Sequence, residues 1–331
     1  MVYVPGAGPD SVNAMNDNAL RWFRARTSRA ADWQSDVLQA AKAASGETVT
    51  VVVPARNEST SIAEVVRRID TELVGALVDE LVVIDSLSED DTAAVARAAG
   101  AAVHAVADVR PDLGVQKGKG EALWKSQFVA SGSLLVFIDA DLTEWGTHFV
   151  TGLLGPLLTN REVVLARGFY DRMIEETGGA RSTEGGRVTE LMARPLLASR
   201  WPDLGAVVQP LAGEWAIRRD WLAQLPVPVG YGVEFSTLVD TYARRGLDAI
   251  AQVDLGARDH RHQHVHDLGA MALEILAVAD RRHPEWVADG RSGSTEQRDT
   301  ICLDHFDRSE AGPWLHRDVP VAERPPYASI G

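Results

Sequence analysis

From Thr48 onward the chain alternates short apolar runs with longer amphipathic stretches. The runs 48–54, 81–84, 101–106 and 134–138 read as strands, the first of them strongly β-branched. Between them, 59–74, 93–99 and 120–130 repeat their apolar residues at helical spacing. Strands that are apolar throughout, separated by such helices, predict a parallel sheet covered on both faces, and therefore an α/β fold.

After Asp141 the alternation loosens. A strand at 163–169, a helix at 187–199, an apolar segment at 207–217, a helix at 233–244, a strand at 249–255 and a helix at 268–281 read as α+β. Residues 14–45, with Trp22, Phe23 and Trp33, predict one or two amphipathic helices ahead of the sheet. Beyond Pro284 the chain is polar, with Trp286, Trp314 and Pro325–Pro326. The expected division is a helical extension over 1–47, two joined halves over 48–141 and 142–283, and a tail over 284–331.

Composition narrows the partners. The 331 residues carry 33 Lys plus Arg against 47 Asp plus Glu, a net charge of −14, and 45% of them are hydrophobic. That is ample for a core and rules out disorder as the state of the whole chain. The acidic balance repels nucleic acid and anionic membrane surfaces, so an anionic substrate must be met by a local cluster of Lys and Arg. Small molecules are the expected partners. No apolar run approaches the roughly 20 residues of a membrane span. Residues 1–13 lack a basic region followed by an apolar one, and Cys302 is the single cysteine. Together these predict a cytoplasmic protein without an intrachain disulfide.

In an open parallel sheet, ligands bind beyond the carboxyl ends of the strands. Those positions are polar here: Pro54, Ala55, Arg56, Asn57 and Glu58 after the first strand, Asp85 and Ser86 after the second, Asp139, Ala140 and Asp141 after the fourth. Helix capping accounts for any one such group, but not easily for carboxylates at three strand ends on one rim. Two carboxylates closing a buried strand, Asp139 and Asp141, point to a divalent cation.

The segments VVPARNE (52–58), VIDS (83–86), GKGEALW (118–124) and FIDAD (137–141) together resemble nucleotide-sugar glycosyltransferases of the GT-A type. GGRVTEL (185–191), QPLAGE (209–214), GYGVE (230–234) and DHR (259–261) resemble the mannosyl- and glucosyl-3-phosphoglycerate synthases, a retaining family numbered 81. The resemblance covers about 48–270. It implies a GT-A type, Rossmann-like fold whose nucleotide-sugar-binding half, 48–141, is intimately joined to an acceptor-binding half, 142–283.

It also implies roles. Pro54, Ala55, Arg56, Glu58, Asp85 and Ser86 fall where the family holds the donor nucleoside, and Asp139, Ala140, Gly213 and Tyr231 where it holds the rest of the donor. Lys119, opening a helix from a Gly-rich turn, suits the sugar diphosphate. Asp141 and His260 would hold Mg²⁺ or Mn²⁺. A competing reading makes His260, His262, His264 and His266 a separate zinc site. Gly186, Arg187, Val188 and Thr189 offer amides and a cation at a helix start for the phosphate and carboxylate of the acceptor. Arg258, Arg261 and His262 would complete that site, His262 departing from an Asn common in the family.

Glu234 is where inverting relatives place a catalytic base; in the retaining scheme it positions sugar hydroxyls, Lys119 supports the leaving group, and the backbone from Leu211 to Gly213 lines the reaction centre. The expected reaction moves mannose or glucose from a nucleotide diphosphate sugar to the 2-hydroxyl of 3-phosphoglycerate, a step toward mannosylglycerate or glucosylglycerate as compatible solutes. GDP-mannose is the favoured donor, because Arg56 replaces a Leu of many glucosyl members, with GDP-glucose and UDP-glucose as alternatives. The family also implies a homodimer. The rivals are an inverting family-2-like transferase with another acceptor and a non-catalytic sugar-nucleotide sensor.

Overall fold

The computed structural model describes residues 17–143, 145–175, 181–182, 186–259, 265–282, 299–306 and 314–330. Its first half runs α1 (Asp17–Arg26), β1 (Thr27–Arg29), α2 (Ser35–Ser45), β2 (Val49–Ala55), α3 (Ile62–Leu73), β3 (Glu80–Asp85), α4 (Thr92–Ala98), β4 (Ala102–Ala105), α5 (Lys119–Ser126) and β5 (Leu134–Phe137). There follow α6 (His148–Thr159), β6 (Leu165–Glu175), β7 (Arg181–Ser182), α7 (Arg194–Arg200), β8 (Trp215–Arg218), α8 (Arg219–Leu222), β9 (Val227–Pro228), α9 (Val233–Arg245), β10 (Ile250–Asp259) and α10 (Val265–Arg282). Two further strands, β11 (Thr300–Phe306) and β12 (Trp314–Pro320), and the short β13 (Glu323–Arg324) close the chain.

The central sheet has the order β1-β10-β6-β8-β5-β2-β3-β4, with β7 paired to β6. All its long strands are parallel except β8, which runs antiparallel to both β5 and β6. Because β8 is inserted between them, β6 and β10 point the same way as β5. The carboxyl ends of β2, β3, β5 and β10 therefore open on one rim.

Burial explains the strand patterns. Along β2, Val49, Val51, Val53 and Ala55 enter one hydrophobic cluster and Val52 the other, and β5 divides in the same way. Side chains alternate across a strand, so a run apolar on both faces needs cover on both. On α3, Ile62, Val65, Val66, Ile69 and Leu73 form the buried stripe that the spacing predicted.

Several elements lie outside the sequence expectation. Helix α6 is buried on nearly every side and includes Pro156. The N-terminal segment supplies β1 to the sheet edge beside β10, and the Trp22 indole donates to the Ile250 carbonyl at 2.8 Å. The tail beyond 298 forms the antiparallel pair β11–β12, and β13 pairs with β9.

Candidate active site

Helix α5 begins at Lys119, and its first amides are held from outside the helix: Gly120 N–H donates to Gly230 O at 3.2 Å and Glu121 N–H to Val229 O at 2.9 Å. The turn leading into α9 is thereby fixed against the start of α5. This brings together residues 115 positions apart in sequence. The Lys119 ammonium lies 2.6 Å from Asp139 Oδ1 and 2.8 Å from Glu234 Oε1. Burial alone would favour discharging it, but the two carboxylates overcome that and hold Lys119 protonated well above its ordinary range.

Asp139 follows β5 and rests against the 211–213 turn. A Cβ at Gly213 would overlap the Asp139 carboxylate, so that backbone can approach only because the position is Gly. Ala140 is buried and Asp141 half-buried on the same rim; Leu211 is half-buried and packs on the adjoining core.

Behind Glu234 stands Arg167, which sequence reasoning did not select. It is 1% exposed, donates to the Glu234 carbonyl and, at 2.8 Å, to Thr237 Oγ1, and lies over the Trp215 ring at 5.3 Å. Burial lowers its guanidinium to about 10, opposed by Glu234, so it stays charged at neutral pH. A cation inside the apolar strand 163–169 was the available signal. Glu274 of α10 was also missed. It is buried, accepts the Tyr231 N–H, and is pushed up to about 7 by that burial.

On the neighbouring strand ends, Ala55 O accepts from Ser86 N–H at 2.8 Å, joining the loops after β2 and β3. Asn57 and Leu87 adopt left-handed φ of 56° and 61°. Asn57 N–H donates to Ser88 Oγ at 3.0 Å, Asn57 Oδ1 accepts from Glu89 N–H at 2.8 Å, and Glu58 N–H donates to Thr92 Oγ1 at 2.8 Å. Strained residues held by such a net are characteristic of binding loops. Asp85 Oδ1 is buried without a hydrogen-bond partner among the described residues, an acceptor facing the same loops. Pro54 is half-buried, while Arg56 and Tyr231 are exposed.

At the expected acceptor turn, Gly186 has a φ of 93° and leads into helix from Arg187, with a π-helical stretch over Thr189–Ala193. Val188 and Thr189 are buried and Arg187 is exposed. The backbone of Arg258 lies on β10; its side chain, and all of His260, Arg261, His262 and His264, lie outside the described residues. Asp259 ends β10 on the same rim as β5, the edge that carries Asp141.

Comparison with known proteins gives the family. The model for "Glycosyl transferase family 2" matches residues 50–224. Glucosyl-3-phosphoglycerate synthase of Mycolicibacterium smegmatis is 47% identical, the match covering 94% of this chain and 98% of the relative. The same-named enzyme of Mycolicibacterium paratuberculosis is 43% identical over 93% of this chain and 92% of the relative. The chain belongs to the glucosyl-3-phosphoglycerate synthase family. It is a glycosyltransferase with the GT-A-like Rossmann fold. A crystal structure of the Mycobacterium tuberculosis family member, in complex with Mn²⁺, UDP-glucose and phosphoglyceric acid, superposes with a TM-score of 0.78 at 42% identity, covering 90% of this chain and 96% of that one.

Proposed function

We propose that this chain transfers glucose from UDP-glucose to the 2-hydroxyl of 3-phosphoglycerate, with retention at the anomeric carbon and with a divalent metal. The observation that carries the reading is the Lys119–Asp139–Glu234 constellation on the sheet rim, in a chain whose full-length relatives carry the glucosyl name. The expectation of GDP-mannose finds no support among those relatives, and Arg56, on which it leaned, is exposed. We take glucose as the sugar and, after the bound donor in the M. tuberculosis structure, UDP as the nucleotide.

Asp141 and His260 are the residues proposed to hold the metal. The fit rests on the topology and the donor set: parallel β5 and β10 end on one rim, at Phe137 and Asp259, and a carboxylate with an imidazole suits Mn²⁺ or Mg²⁺. When bound, the ion supplies positive charge to the diphosphate. Lys119 adds a second, protonated cation at the start of α5, on the side of the leaving group. Asp139 and Glu234 accept from sugar hydroxyls and fix the ring, and Arg167 braces the α9 turn that carries Glu234. Asp85, Glu58 and Ser86 receive the nucleoside, Asp85 Oδ1 through its unfilled acceptor.

In this reading the acceptor hydroxyl attacks from the face the diphosphate leaves, and its proton passes to a diphosphate oxygen. Gly186, Arg187 and Thr189, with Arg258, Arg261 and His262, form the proposed acceptor cradle. The enzyme is proposed to act as a homodimer, which light scattering of the pure protein tests. The described end of the tail folds onto its own α5, with Trp124 Nε1–H donating to Pro325 O at 2.8 Å.

The test offers UDP-glucose, GDP-glucose and GDP-mannose separately with 3-phosphoglycerate and Mn²⁺ and follows nucleotide diphosphate release. UDP-glucose is expected to be used best, with release abolished in Asp141→Ala and His260→Ala. Faster turnover of GDP-mannose would overturn the donor assignment.

A further inference from the structure

The β11–β12 pair has one face turned inward. Val319, with Ile301 and Leu303, packs against Ala270, Leu273 and Ala277 of α10. Side chains alternate along a strand, so the residues between these point outward. The register sets Cys302 directly opposite Asp318 and Asp304 directly opposite His316. The outer face thus carries a thiol, an imidazole and two carboxylates as two adjacent cross-strand pairs, all four exposed. Paired residues at this spacing have Cβ atoms about 4.5–5.5 Å apart, close enough for their side chains to converge.

They do converge. The Cys302 sulfur, an Asp304 carboxylate oxygen and a His316 ring nitrogen lie within 4.8 Å of one another. Asp304 Oδ1 is the hub, 2.6 Å from His316 Nδ1 and accepting the Cys302 thiol at 3.4 Å.

We propose that Cys302, Asp304 and His316 form a zinc site on the outer face of this strand pair, with Asp318 beside Cys302 as the fourth ligand. The ligand chemistry selects the ion. Sulfur and imidazole with carboxylate suit Zn²⁺, whereas Mg²⁺ and Ca²⁺ require oxygen ligands. The site is separate in sequence and chemistry from Asp141 and His260, and it is independent of the reaction proposed above. Two strands locked in register hold the ligands, with the opposite face anchored on α10.

The sulfur ligates as thiolate, so binding releases the thiol proton to solvent and tightens as pH rises.

The experiment uses the full-length chain carrying Asp141→Ala, stripped with chelator, kept reduced and titrated with Co²⁺ alone, then with Zn²⁺. A single equivalent is expected to produce a sulfur-to-cobalt charge-transfer band that Zn²⁺ abolishes by displacement. Cys302→Ser should lose the band, and His316→Ala or Asp304→Asn should weaken Co²⁺ affinity at least about tenfold. All three positions are exposed, and unchanged circular dichroism would exclude unfolding. Absence of the band, or a band of undiminished affinity in His316→Ala and Asp304→Asn, would overturn the proposal.

Discussion

Replacing Arg324 by Met should unfasten the loop that leads to Lys119. Arg324 forms a bidentate pair with Glu121, Nε to Oε2 and Nη2 to Oε1 both at 2.7 Å, while Nη1 donates to Leu113 O at 2.9 Å. The guanidinium also lies over the Trp124 ring at 5.0 Å. Glu121 has no exposed surface, and its other nearby cation, Lys125, is 3.9 Å away. Removing one partner of a buried pair costs about 3–5 kcal/mol because the other charge is stranded. Lys125 offsets part of that, which places Arg324→Met at about 2–3 kcal/mol, read from denaturant unfolding. Adding Glu121→Gln should recover part of the loss, since the buried carboxylate is then neutral and only Lys125 is left without its anion. The loop held through Leu113 passes Gly118 before Lys119, so the KM for the nucleotide sugar should rise while that for 3-phosphoglycerate holds. A cost below about 1 kcal/mol, or no recovery in the double variant, would refute the reasoning.

Lys119→Met removes the cation from between Asp139 and Glu234 and should lower kcat at least about a hundredfold, measured beside calorimetric donor binding. Gly213→Ala drives a Cβ into the Asp139 carboxylate and should cost about a hundredfold in kcat/KM with the fold retained by circular dichroism. Glu274 binds its proton more tightly in the folded state, so its contribution to stability is full below its unfolded value near 4.5 and is lost as pH rises through about 7. Glu274→Gln should therefore stabilise the protein by on the order of 3 kcal/mol at pH 8 and hardly at all near pH 4, in paired denaturation curves. Equal gaps at the two pH values would contradict it.

Much of the fold was legible because β2, β3 and β5 are apolar on both faces and α3 is apolar on one. Helix α6 escaped because it has no polar face to set a period, and Gly152, Gly155 and Pro156 read as breakers. Gly155 serves close packing instead: a Cβ there would overlap the Trp33 ring. The β11–β12 pair was hidden by charged residues on its outer face. In the site, Lys119, Asp139 and Glu234 could each be named from local motif and strand end. Their contact could not, because it depends on β8 running antiparallel through the sheet and on α9 starting beside α5. Arg167 and Glu274 are lone charges in otherwise apolar segments, Arg324 follows Glu323 in a segment without a motif, and the partners of all three come from distant elements.

The central claim is tested most directly by the product formed from UDP-glucose and 3-phosphoglycerate, analysed by NMR for linkage and anomeric configuration. The account predicts an α-glucosidic bond to the 2-hydroxyl of 3-phosphoglycerate. A β-linked product would contradict retention and return Glu234 to the role of catalytic base, and glucose on any other acceptor atom would contradict the acceptor assignment.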